Sequence, residues 1–86
     1  MARSSDEAIS LADLAAGECG HILPPGEGEI IPARLRDLGF VPGTALRVLR
    51  RAPLGDPVEI ELRGYRLCLR TEQLTAIRVV AREGGE

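Results

Sequence analysis

The sequence predicts a mainly β domain: a small barrel of five short strands with one short α-helix and a short N-terminal helical turn. Three observations carry this reading. After residue 43 the apolar period falls from 3.6 to 2, with Leu46 and Val48, then Val58, Ile60 and Leu62, then Tyr65, Leu67 and Leu69 at alternate positions. Glycine and proline punctuate the chain at Pro24-Pro25-Gly26, Pro42-Gly43, Pro53 to Pro57 and Gly64. No strand–helix–strand alternation occurs, which leaves out a parallel sheet. A small sheet with one inward face per strand is best closed on itself, which hides its edges.

The elements follow in order. Residues 1–9 read as a flexible tail. Ser10-Leu-Ala-Asp13 has the form of a capping box, and Leu11 and Leu14 behind it make a helical turn that plugs the core. Cys19 to Leu23 reads as a strand with Ile22 inward, so Cys19 and His21 share the opposite face. Pro24 to Gly28 is a loop. Pro32 suits the first turn of a helix on which Ile31, Leu35 and Leu38 form an apolar stripe, and Gly39 closes it in a left-handed cap. Arg34 and Asp37 face water. Pro42-Gly43 turns the chain into a strand with Leu46 and Val48 inward and Arg47 and Leu49 outward, ending at Arg50-Arg51.

The next pair is the most tightly specified. A two-residue turn at Arg63-Gly64 pairs 62 with 65, 60 with 67 and 58 with 69, which puts all six apolar side chains on one face. Glu59 and Glu61 then lie beside Arg66 and Cys68. Thr71 to Leu74 is a short turn, Ala76 to Val80 the last strand, and residues 81–86 a second flexible tail. One domain spans 10–80, since 86 residues hold one core at most.

Composition limits what that domain does. A chain of this size removes only about 60–65% of its unfolded surface from water, which disfavours a deep active-site cleft. Apolar residues are 44% and charged residues 28%, a globular balance. Aromatics are 2%, which counts against stacking platforms for single-stranded nucleic acid and makes the core aliphatic. The net charge is −2, and with no helix-turn-helix this speaks against nucleic acid. The charge is uneven: residues 1–33 carry one Arg against six acids, and residues 34–82 ten Arg against five. Every basic residue is Arg, the side chain suited to bidentate pairing with carboxylates or phosphates. The start, Met1-Ala-Arg-Ser-Ser-Asp-Glu, is polar where a signal peptide is apolar, and no run reaches the roughly 18 apolar residues of a membrane span. The expected location is cytoplasmic.

Catalysis has little support. His21 has no nucleophile grouped with it by a local signature, and Gly26-Glu-Gly28 lacks the third Gly or the Lys of a phosphate-binding loop. The chain reads as no enzyme and as holding no cofactor. Cys19 and His21, two apart on one strand face, are the candidate metal ligands, with Cys68 a third if its strand adjoins. Two donors are short of the four that a structural zinc site uses, so the plainer reading is a small semi-buried thiol and a surface imidazole. Two cysteines leave one disulfide open but give no disulfide framework. Arg47, Arg51, Arg66 and Arg70 form a basic strand face that either takes an acidic partner or pairs with Glu59 and Glu61. Leu49 and Leu54 stand beside it as apolar anchors.

Four segments together resemble the ferrous-iron transport protein A (FeoA) family: Arg34-Leu-Arg-Asp-Leu-Gly-Phe-Val-Pro-Gly43, Arg51-Ala-Pro-Leu-Gly-Asp-Pro57, Gly64-Tyr-Arg-Leu-Cys-Leu-Arg70 and Ile77-Arg-Val79. The resemblance covers about Ser10 to Val80. It implies a small cytosolic barrel of the Src-homology-3-like type, shared with the last domain of the iron-dependent repressors. It also implies a part in bacterial ferrous-iron uptake beside the ferrous permease FeoB, docking on its cytosolic region and regulating it. The family is loosely associated with transition-metal binding without a fixed ligand set. Exposure and charge, with no motif behind them, give the expected contact surface: Arg34 and Arg36 on the helix, Leu54 and Asp56 in the loop, and Arg66 and Arg70 on the strand. The alternatives are a transition-metal-binding or sensing protein, and a repressor-type barrel that binds a peptide. Open strand edges also leave homo-oligomers possible.

Overall fold

The computed structural model describes residues 7–82. They form strands β1 (Ala8–Ser10), β2 (Cys19–Ile22), β3 (Ala45–Arg51), β4 (Val58–Leu62), β5 (Tyr65–Leu69) and β6 (Arg78–Arg82). Two short helices, α1 (Ala33–Leu38) and α2 (Thr71–Leu74), and a 3-10 turn at Leu11–Asp13 complete the chain. The strands make one antiparallel sheet in the order β1-β6-β2-β3-β4-β5.

Several expectations need correction. The five strands become six, because Ala8 and Ile9, read as tail, pair with Val80 and Val79 of β6. The last strand starts at Arg78 and runs to Arg82, past the expected end at Val80, and Thr71–Leu74 is a helix. Of the expected tails at 1–9 and 81–86, residues 1–6 and 83–86 lie outside the described residues. The sheet is also not closed, since β1 and β5 are its edges. Closure by hydrogen bonds is replaced by plugging: the 3-10 turn that follows β1 packs against α2, which follows β5. Leu11, Leu14, Leu74 and Ile77 fill that seam, each fully buried.

The hairpin stands in the predicted register: Leu62 faces Tyr65, Ile60 faces Leu67 and Val58 faces Leu69. Arg63 and Gly64 both have positive φ (54° and 85°), as a two-residue turn matched to the strand twist requires. The N-terminal turn also forms as read, with the Ser10 hydroxyl accepting the Ala12 N–H at 3.1 Å. Helix α1 ends at Gly39, whose φ of 113° frees the Phe40 N–H to donate to the Leu35 carbonyl at 3.0 Å. A side chain at Gly39 would also meet Arg63 and Tyr65, so the end of α1 lies against the β4–β5 turn. The Tyr65 hydroxyl donates to the Leu38 carbonyl there. The apolar stripe holds for Ile31 and Leu35 but not for Leu38, which is exposed because the six-residue helix stops before its last turn covers it.

Every buried side chain among the described residues is apolar, and Phe40 is its one aromatic member. Phe40 is the largest of the fully buried groups and follows the Gly39 cap of α1, so it anchors the end of that helix in the core. Phe40→Ala should lower the unfolding free energy by about 3–5 kcal/mol, a large share of what a domain of this size has. Urea unfolding checks it, and a loss below 1 kcal/mol would contradict this placement of the ring.

Candidate protein interaction surface

Strand alternation decides which side chains line the outer face of the sheet. Gly20 and Ile22 of β2 are buried, so Cys19 and His21 point outward as read. A side chain at Gly20 would sit 3.0 Å from the Val80 carbonyl oxygen, which is why β6 can lie so close. Across the outer face, Cys19 stands opposite Arg47, Arg47 opposite Glu61, and Glu61 opposite Arg66. His21 faces Ala45. Cys19, His21, Ala45, Arg47, Glu61 and Arg63 line an open groove of about 360 Å3.

A bulge reshapes the basic face. The β3–β4 register shifts between Val48 and Arg50, leaving Leu49 as the extra residue. Arg50 therefore faces Glu59, and Arg51 faces the inward-pointing Val58. Arg51 is not part of the outer basic face expected from simple alternation. Its guanidinium is half-buried and donates to the Ala12 carbonyl at 2.6 Å and to the Leu14 carbonyl at 2.7 and 3.2 Å. Leu49 is half-buried rather than a free anchor. On the outer face, Glu59 takes Arg50 at 3.1 Å and Arg66 at 3.7 Å, so the acidic and basic strand positions pair in part. Both arginines remain largely in water, and such pairs stabilise little.

The loop between β3 and β4 holds the other anchors. Leu54 is 98% exposed at its tip. Asp56 is exposed yet occupied: its Oδ1 accepts the Thr71 backbone N–H at 2.6 Å and lies 2.5 Å from the Thr71 hydroxyl. These bonds, the hydroxyl first and then the backbone N–H, hold the Asp56 carboxyl below its usual 3.8, and Arg70 and Arg51 push the same way. Asp56 ties the loop to the start of α2, a task its sequence position does not reveal. A readable signal lay nearby in Gln73, whose side chain reaches back to accept the Arg70 N–H at 3.0 Å, one half of a capping box.

The six expected contact residues do not form one surface. Arg34 and Arg36 are exposed on α1, whose C-terminal end at Gly39 lies against the β4–β5 turn. Around Arg36, Pro25, Ile30, Ile31 and Pro42 line a groove of about 260 Å3, and Ile30 is 75% exposed. Leu54, Asp56 and Arg70 lie at the other end of the hairpin, whose paired strands span about 13 Å at roughly 3.3 Å per residue. Asp56 and Arg70 line one groove there with Pro57, Cys68 and Gln73. Arg66 stands between the two ends. Cys68 does not adjoin Cys19 either, because β3 and β4 separate their strands, and both thiols are free. The missed feature of this end is Pro57 and Cys68, which also line the adjoining groove with Arg50, Arg51 and Glu59.

Two predictions follow from this wiring. Arg51→Met should lower stability by about 1.5–3 kcal/mol, the worth of charge-assisted bonds to otherwise unpaired carbonyls, whereas Arg47→Met should change it by less than about 0.5 kcal/mol. Equal urea midpoints for the two would remove the distinction. For Asp56 the lowered folded-state value means that its stabilisation is present above the unfolded carboxylate value and is lost as pH falls through the lowered one. The gap in urea midpoint between the native chain and Asp56→Asn should therefore be constant near neutrality and close below about pH 4. A gap that widens in acid would be the opposite sign.

Comparison with known proteins places this geometry in a family. Residues 9–81 match the FeoA domain. The FeoA protein of Chlorobium tepidum has 37% sequence identity and a TM-score of 0.73, covering 91% of this chain and 74% of that one. FeoA of Stenotrophomonas maltophilia, solved with zinc and described as an SH3 domain protein, has 23% identity and a TM-score of 0.72, covering 87% and 96%. A manganese-dependent transcriptional repressor shares the fold at a TM-score of 0.70 and 22% identity over 92% of this chain and 44% of its own. The match spans the sheet from Ile9 in β1 to Ala81 in β6, and the chain belongs to the FeoA family.

Proposed function

We propose that this chain is a non-enzymatic accessory protein of bacterial ferrous-iron uptake that binds and regulates the ferrous permease FeoB from the cytosolic side. The observation that carries the reading is the FeoA match over residues 9–81, together with an outer surface built of grooves and charges. No helix among the described residues is long and apolar enough to cross a membrane. Three patches are offered to the partner: Arg34 and Arg36 beside the exposed Ile30, the Leu54 loop tip, and Arg66 with Arg70. Asp56 supports the loop through Thr71 while its carboxylate stays in water.

The second reading is transition-metal binding, and His21 is the observation that favours it. Its Nδ1 is buried with no hydrogen-bond partner, in the groove that also holds the free Cys19 thiol. The residues do not fit a closed site, however. No group of three or more His, Cys, Asp or Glu side chains placed to hold a metal ion occurs among the described residues. Four ligands are the rule for a structural zinc ion, so donors from a second molecule would be needed.

The family resemblance also implies that the permease carries a cytosolic GTP-binding domain, and calorimetric titration into that domain, with and without nucleotide, tests the first reading. Saturable, nucleotide-dependent binding is expected. Reversal of Arg66 and Arg70 to Glu should weaken it about tenfold or more while the circular dichroism spectrum stays that of the folded chain. Absence of binding in both nucleotide states would count against docking on that domain. For the second reading, a zinc or ferrous titration should saturate near micromolar metal and be lost in Cys19→Ser.

A further inference from the structure

The two sheet edges differ in charge and in what covers them. Strand β1 is three residues long and follows the acidic Glu7, whereas β5 runs five residues and is bordered by Arg63, Arg66 and Arg70. The register of the hairpin states which backbone groups of β5 are spent. A two-residue turn makes 62 and 65 a hydrogen-bonded pair, so 60 with 67 and 58 with 69 are bonded pairs too. The N–H and C=O groups of Arg66 and Cys68 then point away from β4, to the open edge. No backbone bond among the described residues claims them. Their side chains are exposed, and Leu67, inward-facing but only half-buried, leaves apolar surface at the same edge. Past the strand, the Arg70 N–H is already taken by Gln73, which limits the free edge to these two residues.

We propose that the β5 edge receives an extended acidic segment of a partner protein as a seventh strand. Backbone pairing to Arg66 and Cys68 supplies register, and carboxylates on the segment's outer face meet Arg66 and Arg70. An apolar residue on its other face covers the open side of Leu67. Charge selects the occupant. A second copy pairing β5 with β5 would bring Arg66 and Arg70 of both copies onto one face, which like-charge repulsion opposes, whereas an acidic strand neutralises them. The inference rests on the reading of this chain as a docking protein but not on the identity of the permease.

The test uses the whole chain and a synthetic ten-residue peptide alternating Glu and Val, with a Lys–Val counterpart. Amide hydrogen exchange read by nuclear magnetic resonance should slow about tenfold or more at Arg66 and Cys68 when the Glu–Val peptide is added. Leu67 and Leu69, already bonded within the hairpin, serve as internal references. The Arg66→Glu, Arg70→Glu double variant should bind about tenfold or more weakly. Two peptides N-methylated at alternate residues, one in each phase, test the pairing without altering the protein, and one of them should lose binding. Unchanged exchange at both amides overturns the proposal, as do equal binding of the Lys–Val peptide and retained binding by both methylated forms. Protection in the protein alone, with dimers in sedimentation, would give the edge to a second copy instead. The peptide experiment and the permease titration fail separately: edge protection without permease binding keeps the docking mode and discards that partner.

Discussion

The Arg51 guanidinium, donating to the carbonyls of Ala12 and Leu14, is the interaction on which the seal of this domain depends. An open six-stranded sheet has no hydrogen bonds across its gap, so its interior must be stoppered by side chains. Leu11 and Leu14 do this from the 3-10 turn and Leu74 and Ile77 from the opposite side, all without exposed surface. Arg51 ties the first pair to β3, and the Ser10 hydroxyl, 3.2 Å from the Thr75 carbonyl, ties the same turn to the chain after α2. The bulge at Leu49 makes this possible, because without the extra residue Arg51 would project to the outside. A long, half-buried cationic side chain is thus used as a strut, its charge on backbone oxygens of the short turn.

This seal leaves the rest of the surface free for contact. The regular parts of the sheet need no polar side chain inside, and Arg34, Arg36, Arg50, Arg63, Arg66, Arg70 and Arg78 are exposed on strands, turns and α1. The consequence is a small body with basic groups at two separate ends and along one edge. Such an arrangement suits recognition by contact over an extended path: the outer-face pairs of Glu59 with Arg50 and Arg66 are weak, while Arg51 and Asp56 are held by backbone and Thr71 bonds at the margins of the grooves. Asp56 shows the same economy of parts. It looks like a surface acid in the sequence, but it holds the Leu54 loop against α2, so the loop is presented in a fixed conformation.

Much of the fold was legible because its signals are local. The alternation from Val58 to Leu69 around a two-residue turn admits one register, and a slip by one residue would turn six apolar side chains to water. Gly39 and Ser10 mark helix ends by the backbone geometry and side-chain oxygen that such ends require. The candidate surface was less legible. Exposure and charge identified Leu54, Arg66 and Arg70 as surface groups, but nothing in the sequence says that Arg34 and Leu54 lie at opposite ends of one hairpin. Arg51 and Leu49 were placed by alternation alone, and no residue between Val48 and Ala52 marks where the phase changes. Ala8 and Ile9 were too short a run to register as a strand, since their pairing with Val79 and Val80 joins residues about seventy positions apart.

The sequence by itself determined the mainly β class, the hairpin register, the helix ends at Ser10 and Gly39, the aliphatic core and the family. Each of these is encoded within a few neighbouring residues, through side-chain periodicity, turn geometry or motif order. Tertiary structure alone decided the sixth strand, the open edges, the inward Arg51, the bond from Thr71 to Asp56 and the separation of the basic patches. Those features arise where distant segments compete for the same backbone donors and the same buried space. The winner of that competition depends on how the whole sheet twists and packs, which no short stretch of sequence contains.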